Sequence, residues 1–244
     1  MKRLALVLIL TGACLRAGTL ALPEHTDFSI LPPPPGDTTP AGLADLSVLL
    51  YVQAARTPAQ AEMAKEMSHA SVFDLNRDVF GDWFRRENLP RTSGILREVM
   101  EVTKPVLQAA KAHWKRPRPY VRSAEISPVV GRPGDAGSYP SGHTFGIAVP
   151  EFVLAAAFPE LAGALDRQTH RMMWGRIAGG VHYPSDTEAG RLLAQELVRR
   201  LLQTAEMQRD LDVIRAEMAP FMNKAAGKTA AETQQPGAGA RQPE

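Results

Sequence analysis

A single all-α domain, a helical bundle of six to eight helices, is the fold that this sequence predicts. Apolar side chains recur at helical spacing across residues 43–52, 72–84 and 95–114. Helix-starting signals fall between these stretches, and few segments alternate apolar and polar residues as half-buried strands do. The chain has 244 residues, of which 44% are hydrophobic and 22% charged, and this is enough for one sizeable core.

The first elements follow in chain order. Residues 22–39 form a proline-rich lead, in which the run from Pro32 to Pro35 favours an extended strap across the surface. Helical patterning begins at Pro40. Thr57 is a candidate N-cap, a proline follows it at the first helical position, and Gln60 is its capping-box partner. We therefore expect a further helix to start there.

Prolines and composition mark the later boundaries. Pro105 predicts a kink or a restart in the third apolar stretch, and Pro150 predicts a kink in the helix that follows His143. The last long helix is expected to run from about Pro184 into the 200s. We assign residues 40–223 to the helical domain. Residues 224–244 are poor in large apolar side chains and are predicted to be disordered.

Residues 1–21 have the features of a signal peptide. Lys2 and Arg3 precede a continuous apolar run, and small residues follow it. Cleavage is expected after Ala13 or Ala21. Removing the segment deletes three basic residues and no acidic ones, so the formal charge of +2 becomes slightly negative. The sequence therefore predicts a periplasmic or secreted protein.

Cys14 is the only cysteine and lies inside this segment, so the mature chain is expected to have no disulfide. The residues before Cys14 faintly resemble a lipoprotein box, which leaves lipid anchoring at this cysteine as an alternative. No later apolar run approaches the ~20 residues of a transmembrane helix. We therefore predict no transmembrane segment.

The first of three blocks that carry chemistry combines Lys111 with Arg118, seven residues further on. Lys111 should lie near a helix end and Arg118 in an extended run between two prolines. An arginine can grip two phosphate oxygens, and a lysine adds a compact charge. Alone, the block could equally be a solvated basic helix end or a nucleic-acid patch. Few aromatic residues accompany it, however, so nucleic acid is not expected as a specific partner.

The second block, PSGH at residues 140–143, predicts a turn that opens into a helix. The unpaired N–H groups and the dipole at such a helix start attract anions. Gly142 would let the backbone approach a phosphate, and His143 would be placed to protonate a leaving group. The alternative is an ordinary capped helix with a half-buried histidine.

The third block places Arg176 in the last turn of a helix that Gly179 and Gly180 should end, and His182 in the loop beyond. Asp186, in the next helix, could accept the Nδ1 proton of His182 and leave Nε2 to attack phosphorus. Alternatively, Asp186 only complements the helix dipole, or both residues bind a metal. A metal site usually needs a third protein ligand.

Together the blocks resemble the tripartite motif of the superfamily of type 2 phosphatidic acid phosphatases, bacterial non-specific acid phosphatases and vanadium haloperoxidases. The string GSYPSGHT at residues 137–144 is similar to the signature of class A non-specific acid phosphatases. The stretch 31–58 also resembles that family, so the resemblance covers about residues 30–205.

The resemblance implies metal-independent hydrolysis of phosphate monoesters through a phosphohistidine, without a cofactor. The implied phosphate ligands are Lys111, Arg118, Ser141, Gly142 and Arg176. The implied catalytic residues are His143 as general acid, His182 as nucleophile and Asp186 as its orienting partner. The family usually has serine before the last arginine, where this chain has Gly175.

Two other functions remain open at this point. A vanadate-dependent haloperoxidase uses the same set of anion-binding residues, here called the cradle: Lys111, Arg118, Ser141, Gly142 and Arg176. A phosphate-binding protein could keep the cradle without turnover. Small phosphorylated molecules are the expected partners, although the motif reads only the phosphoryl group and does not choose among them. The resemblance also suggests a homo-oligomer.

Overall fold

The structure is a computed structural model that describes residues 20–134 and 137–233, with side chains as far as residue 224. Within these ranges it contains ten α-helices, one short 3₁₀ turn and no strand. The helices are α1 Pro40–Ala55, α2 Pro58–Met67, α3 Val72–Leu75, α4 Arg77–Phe80, α5 Pro90–Trp114, α6 Pro119–Arg122, α7 Gly142–Ala157, α8 Ala162–Ala178, α9 Pro184–Leu201 and α10 Ala205–Thr233. Seven of these are long and three have four residues, so the predicted all-α class is confirmed.

Several helix boundaries follow directly from the sequence. The capping box at the start of α2 is complete: Thr57 Oγ1 accepts from the Gln60 N–H at 3.3 Å, and Gln60 Oε1 accepts from the Thr57 N–H at 2.9 Å. The chain leaves α8 at Gly179, and Gly180 turns it with φ +75°. Helix α5 continues through Pro105 without restarting, and α7 likewise contains Pro150.

The C-terminal region differs from the prediction. The helix that begins at Pro184 ends at Leu201, and a further long helix follows. The break occurs because Thr204 caps a new start, with its Oγ1 accepting from the Met207 N–H at 3.2 Å. Helix α10 then runs to Thr233, so residues 224–233, predicted to be disordered, are helical. The remainder of the predicted tail, 234–244, lies outside the described residues.

Helix α7 lies at the centre of the main core and packs most closely against α9 and α8, with α5 and α10 beyond. The start of α9 comes very near the start of α7 because residue 190 is glycine. A Cβ at Gly190 would lie 2.6 Å from the Ser141 carbonyl oxygen. At the same junction the Ser141 N–H donates to the Asp186 carbonyl at 2.8 Å. This contact joins the second and third sequence blocks.

The proline-rich lead is held to the domain at defined points. Leu31 is buried in the main core, and the Tyr139 hydroxyl donates to the Pro32 carbonyl at 2.6 Å. Leu20 is only 1% exposed in the same core, and its N–H donates to Glu98 Oε1 at 3.2 Å. Of the predicted signal segment, residues 1–19, including Cys14, lie outside the described residues.

Helices α2 and α8 pack at a distance that only glycine permits at residue 175. A Cβ there would lie 2.7 Å from both Cβ and Cγ of buried Met67. Cβ atoms move only with their backbone, so Met67 cannot swing aside to make room. The departure from the family's serine at this position therefore has a local structural reason. In the part of the chain that the structure describes, no helix is both long and apolar enough to cross a bilayer.

We expect Gly175→Ala to lower the free energy of unfolding by about 1–3 kcal/mol, since the added methyl group overpacks the α2–α8 contact. Gly94→Ala is the matched control: it is also inside a long helix, but its Cβ would meet no atom within 4 Å. That control should leave stability unchanged or raise it by up to about 1 kcal/mol, because alanine favours helix. Urea denaturation followed by circular dichroism measures both. Equal urea midpoints for the two variants would contradict the packing argument.

Candidate active site

The residues singled out in the sequence meet at one cavity of about 800 Å³. Four of them line it: Lys111, Arg118, Gly142 and His143. The other four are at most 1% exposed and lie behind this lining: Ser141, Arg176, His182 and Asp186. A Cβ on Gly142 would lie 3.7 Å from Lys111 Cε, so the missing side chain leaves space on the side of that lysine. All eight predicted residues therefore belong to one region.

The first block enters the site through a tight reversal of the chain. Helix α5 ends at Trp114, and Lys115 adopts the left-handed conformation with φ 47°. The chain then turns inward, and Arg116 becomes 4% exposed. Arg118 is extended, as predicted, but it caps the four-residue helix α6, which the flanking prolines had argued against. Proline is tolerated there because it occupies the first helical position.

A hydrogen bond between Arg118 and His182 defines the state of the candidate nucleophile. Arg118 Nη1 lies 2.9 Å from His182 Nε2 and also donates to the Val181 carbonyl at 2.9 Å. Since a guanidinium has no acceptor atom, Nε2 must receive this hydrogen bond with its lone pair. The proton of the neutral ring is therefore on Nδ1, which faces Asp186 Oδ2 at 3.4 Å. This is the tautomer that the sequence argument required.

The Asp186 carboxylate is held from four directions. Its Oδ2 accepts from the Tyr183 N–H at 2.9 Å and from the Ser138 hydroxyl at 2.5 Å, besides facing His182. Its Oδ1 accepts from Arg116 Nη1 at 2.7 Å. Burial alone would raise the pKa of Asp186, but the hydrogen bond from His182, the charge of Arg116 and the hydrogen bond from Ser138 lower it. Asp186 is therefore a carboxylate.

Arg116 is a second buried anchor that the sequence did not single out. Besides Asp186, it reaches Asp45 Oδ2 of α1 at 2.8 Å and the Ser185 hydroxyl at 2.7 Å. Its guanidinium carbon lies 4.0 Å from the centroid of the Tyr183 ring. Removing one partner from such a buried pair is strongly destabilising, because the other charge is left uncompensated. Arg116 thus fixes the carboxylate that fixes His182.

His182 itself is held neutral. Complete burial of the ring lowers its pKa to about 3, although the hydrogen bond that Nδ1 donates to Asp186 opposes the shift. The nearby charges of Arg118 and Lys111 act in the same direction as burial. At any working pH above this value, Nε2 keeps an unprotonated lone pair beside the cavity.

Three cationic side chains lie together at the cavity: Lys111, Arg118 and Arg176. Burial, with the charge of Arg118, lowers the pKa of Lys111 to about 8 and that of Arg176 to about 10. Lys111 Nζ donates to the Gly137 carbonyl at 2.6 Å, and Arg176 Nη1 donates to the Ser68 hydroxyl at 2.7 Å. Neither makes an ion pair within the described ranges. This arrangement suits a dianion.

His143 has its pKa shifted in the same sense. Part of the residue is exposed, yet burial of the ring in the cavity wall and the charge of Arg176 lower its pKa to about 4. A hydrogen bond to the Ser68 backbone carbonyl opposes this shift. The ring is therefore neutral above about pH 4 while the cavity holds no anion. A bound dianion would favour the protonated form.

Ser68, at the end of α2, touches both of these groups through different atoms. Its hydroxyl accepts from Arg176, and its carbonyl faces the His143 ring. No sequence motif marks this residue. Ser138, in contrast, belongs to the GSYPSGHT string, and Arg116 lies between Lys111 and Arg118 of the first block. The sequence did not show which residues of these two stretches would bind Asp186.

Ser141 is engaged mainly in capping. Its hydroxyl accepts from the Thr144 N–H at 3.4 Å and from the Thr144 hydroxyl at 3.1 Å. A ligand at the start of α7 would therefore meet the backbone N–H groups together with an already positioned hydroxyl. As for metal binding, His182 and Asp186 have no third His, Cys, Asp or Glu grouped with them among the described residues.

The chain is similar to a known protein family and to phosphatases of two bacteria. The family model described as PAP2 superfamily matches residues 95–209. A non-specific acid phosphatase of Salmonella typhi is 30% identical over 198 residues, covering 77% of this chain and 78% of the relative. An acid phosphatase of Zymomonas mobilis subsp. mobilis is 31% identical over 134 residues, covering 53% of this chain and 50% of the relative.

A solved structure with a similar fold is that of a membrane enzyme. A transmembrane PAP2 type phosphatidylglycerolphosphate phosphatase from Bacillus subtilis superposes with a TM-score of 0.50 at 22% identity, covering 68% of this chain and 87% of the other. That likeness concerns the fold alone. The identity and coverage shared with the Salmonella enzyme, together with the matched domain, show that this chain belongs to the PAP2 superfamily, as an acid phosphatase of the bacterial class A type.

Proposed function

We propose that this phosphatase hydrolyses phosphate monoesters without a metal ion, through a phosphohistidine formed on His182. The observation that carries the proposal is the 2.9 Å contact between Arg118 Nη1 and His182 Nε2. It puts the lone pair of a neutral histidine next to a cation that can hold a phosphate oxygen. Nucleophile and anion site are therefore adjacent.

In the first step, the phosphate dianion of the ester binds between Lys111, Arg118, Arg176 and the N–H groups at the start of α7. Arg118 exchanges its hydrogen bond with His182 for one with a phosphate oxygen. Nε2 of His182 then bonds to phosphorus while the bond to the ester oxygen breaks. His143 gives its proton to that oxygen, and the alcohol leaves.

In the second step, water attacks the phosphohistidine. Neutral His143 takes one proton from this water, the bond between phosphorus and Nε2 breaks, and inorganic phosphate is released. The proton taken up restores His143 as the acid for the next cycle. Atoms and charge therefore balance without any external co-reactant.

Asp186 acts on the intermediate rather than on the substrate. Phosphorylated His182 carries a positive ring, and the Asp186 carboxylate facing Nδ1 compensates this charge in a site shielded from water. The carboxylate does not take the proton, since its own pKa is lowered. It orients the ring and stabilises the charge that forms.

The proposal includes export across the inner membrane. Leu20 lies in the core, so cleavage after Ala21 would remove a buried side chain. Burying a leucine contributes about 1.5–3 kcal/mol. Of the two cleavage positions that the sequence offers, Ala13 is therefore the one that this packing favours.

We expect His182→Ala to reduce the hydrolysis of p-nitrophenyl phosphate by about 10³-fold or more, because no other group can form the covalent intermediate. Wild-type activity should persist in EDTA. An alkaline quench during turnover should trap an acid-labile phosphoprotein in the wild type and none in the variant. His170→Ala is the matched control, since His170 is an exposed histidine of α8 that contacts Asp166.

Three results would contradict this scheme. Full activity in His182→Ala would mean that another residue is the nucleophile. Activity that EDTA abolishes and one divalent metal restores would indicate a metal-dependent reaction. Halide oxidation that appears only after vanadate is added, with no phosphate release, would indicate a haloperoxidase.

We also expect dianion binding to raise the pKa of His143. In the empty site its pKa is about 4, so the ring is neutral at pH 6. A dianion offsets the charges of Arg176, Arg118 and Lys111, and the protonated ring becomes more favourable. NMR of ¹³C-labelled histidine, with and without saturating sulfate, measures the shift, and His143→Asn assigns the signal. Sulfate stays dianionic over this range.

The same coupling between proton and sulfate binding predicts how the affinity for sulfate changes with pH. Because the sulfate complex binds the His143 proton more tightly, sulfate should bind more strongly as the pH falls from 7 towards 4. Sulfate binding with an unchanged His143 titration would show that the ring does not face the bound anion, and the general-acid assignment would then fail.

A further inference from the structure

The cavity continues well beyond the phosphate cradle along helix α5. Its lining on this helix includes Arg97, Lys104 and Lys111. These positions are seven residues apart, so they lie on nearly the same side of the helix. At 1.5 Å per residue, each step is about 10.5 Å. The cradle lysine is therefore the last member of a row of cations.

This extension is positively charged. Besides the two cradle cations, its lining contains Arg86, Arg97 and Lys104, and none of the described residues that line the cavity is acidic. Arg97 forms an ion pair with Glu101, in which Nε and Oε1 are 3.7 Å apart, but Glu101 is not part of the lining. Lys104 makes no ion pair with any residue that the structure describes. Such a row of like charges creates a positive potential along the cavity.

Between the cations the lining is apolar. Side chains from three helices contribute: Met100 and Leu107 of α5, Ile147 and Pro150 of α7, and Met172 of α8. An apolar wall favours a carbon-rich segment of a ligand, while a cation at its far end favours an anionic group. The apolar wall extends over the two helical turns that separate Lys111 from Lys104, and Lys104 is the cation at its far end.

Resting on the proposed function, we propose that the preferred substrates are phosphate monoesters whose leaving group carries a second anionic group. An apolar segment would separate that group from the scissile phosphorus by about 10 Å, the spacing of Lys104 from Lys111. The scissile phosphate occupies the cradle, the apolar segment lies against Met100, Leu107 and Met172, and the second anion meets Lys104. Arg97 and Arg86 add to the attracting field without needing direct contact.

Hexane-1,6-diol bisphosphate and hexyl phosphate test this proposal directly, because they differ only in the second anion. We expect wild-type kcat/KM to favour the bisphosphate beyond the statistical advantage of its two equivalent ends. Lys104→Gln should lower the ratio of the two kcat/KM values by about fivefold, as expected for one charge contact at a partly exposed site. Added salt should lower the wild-type ratio towards that of the variant.

Two controls make the outcome specific. Lys224→Gln makes the same change of charge at an exposed residue outside the cavity, and it should keep the wild-type ratio. Ethylene glycol bisphosphate is too short to reach Lys104 from the cradle, so its rate relative to a singly phosphorylated analogue should not depend on that lysine.

Each remaining outcome has a defined meaning. Equal ratios in wild type and Lys104→Gln, with both hexyl substrates hydrolysed, would overturn the second anion site and leave the proposed function intact. A drop of the same size in Lys224→Gln would show that only net charge matters, which also overturns the site. Failure of the wild type to hydrolyse either substrate would count against the proposed function itself.

Discussion

The Asp186 carboxylate is the point at which the three sequence blocks become one site. Its two oxygens accept from Arg116 within the first block and from Ser138 just before the second, and they face His182 of the third. Its backbone carbonyl also receives the N–H of Ser141, at the start of α7. The side chain is fully buried, so each of these partners compensates a charge that would otherwise be very costly. Positioning of the proposed nucleophile and cohesion of the fold thus depend on the same interaction.

The charge of Asp186 is compensated by its partners, whereas the cavity next to it has an excess of positive charge. The charge of Arg118 lies close enough to Lys111 and Arg176 to help lower their pKa values. Lys111 and Arg176 hydrogen-bond to neutral oxygens, and Arg118 hydrogen-bonds to the ring of His182. Keeping cations together in a buried region costs free energy, which an arriving dianion recovers. Burial, with the charges of these cations, also lowers the pKa values of both histidines and keeps them neutral. Neutrality suits His182 in its proposed role as nucleophile, whereas His143, the proposed acid, needs the substrate's own charge before it can be protonated.

Much of this site could be predicted from the sequence because its parts are short and local. Thr57 and Gln60 mark the start of α2, Gly179 marks the end of α8, and PSGH marks the start of α7. Each signal acts through contacts within a few residues. The contributions that were missed are made across the fold. Arg116 meets Asp45 of α1, and Ser68 of α2 meets Arg176 of α8, pairs separated by 71 and 108 residues. No local pattern records such a pairing. The break before Ala205 was missed for another reason: the helical periodicity on both sides hid one capping threonine.

The contact between Gly175 and Met67 also constrains how this branch of the family can change. A serine at 175 requires a smaller residue at 67 or a displaced α2, and displacement of α2 would carry Ser68 away from Arg176 and His143. The two positions are therefore epistatic. With α2 in place, a lineage could gain the serine hydroxyl at residue 175 only after the side chain at residue 67 had become smaller, so the order of the two substitutions matters.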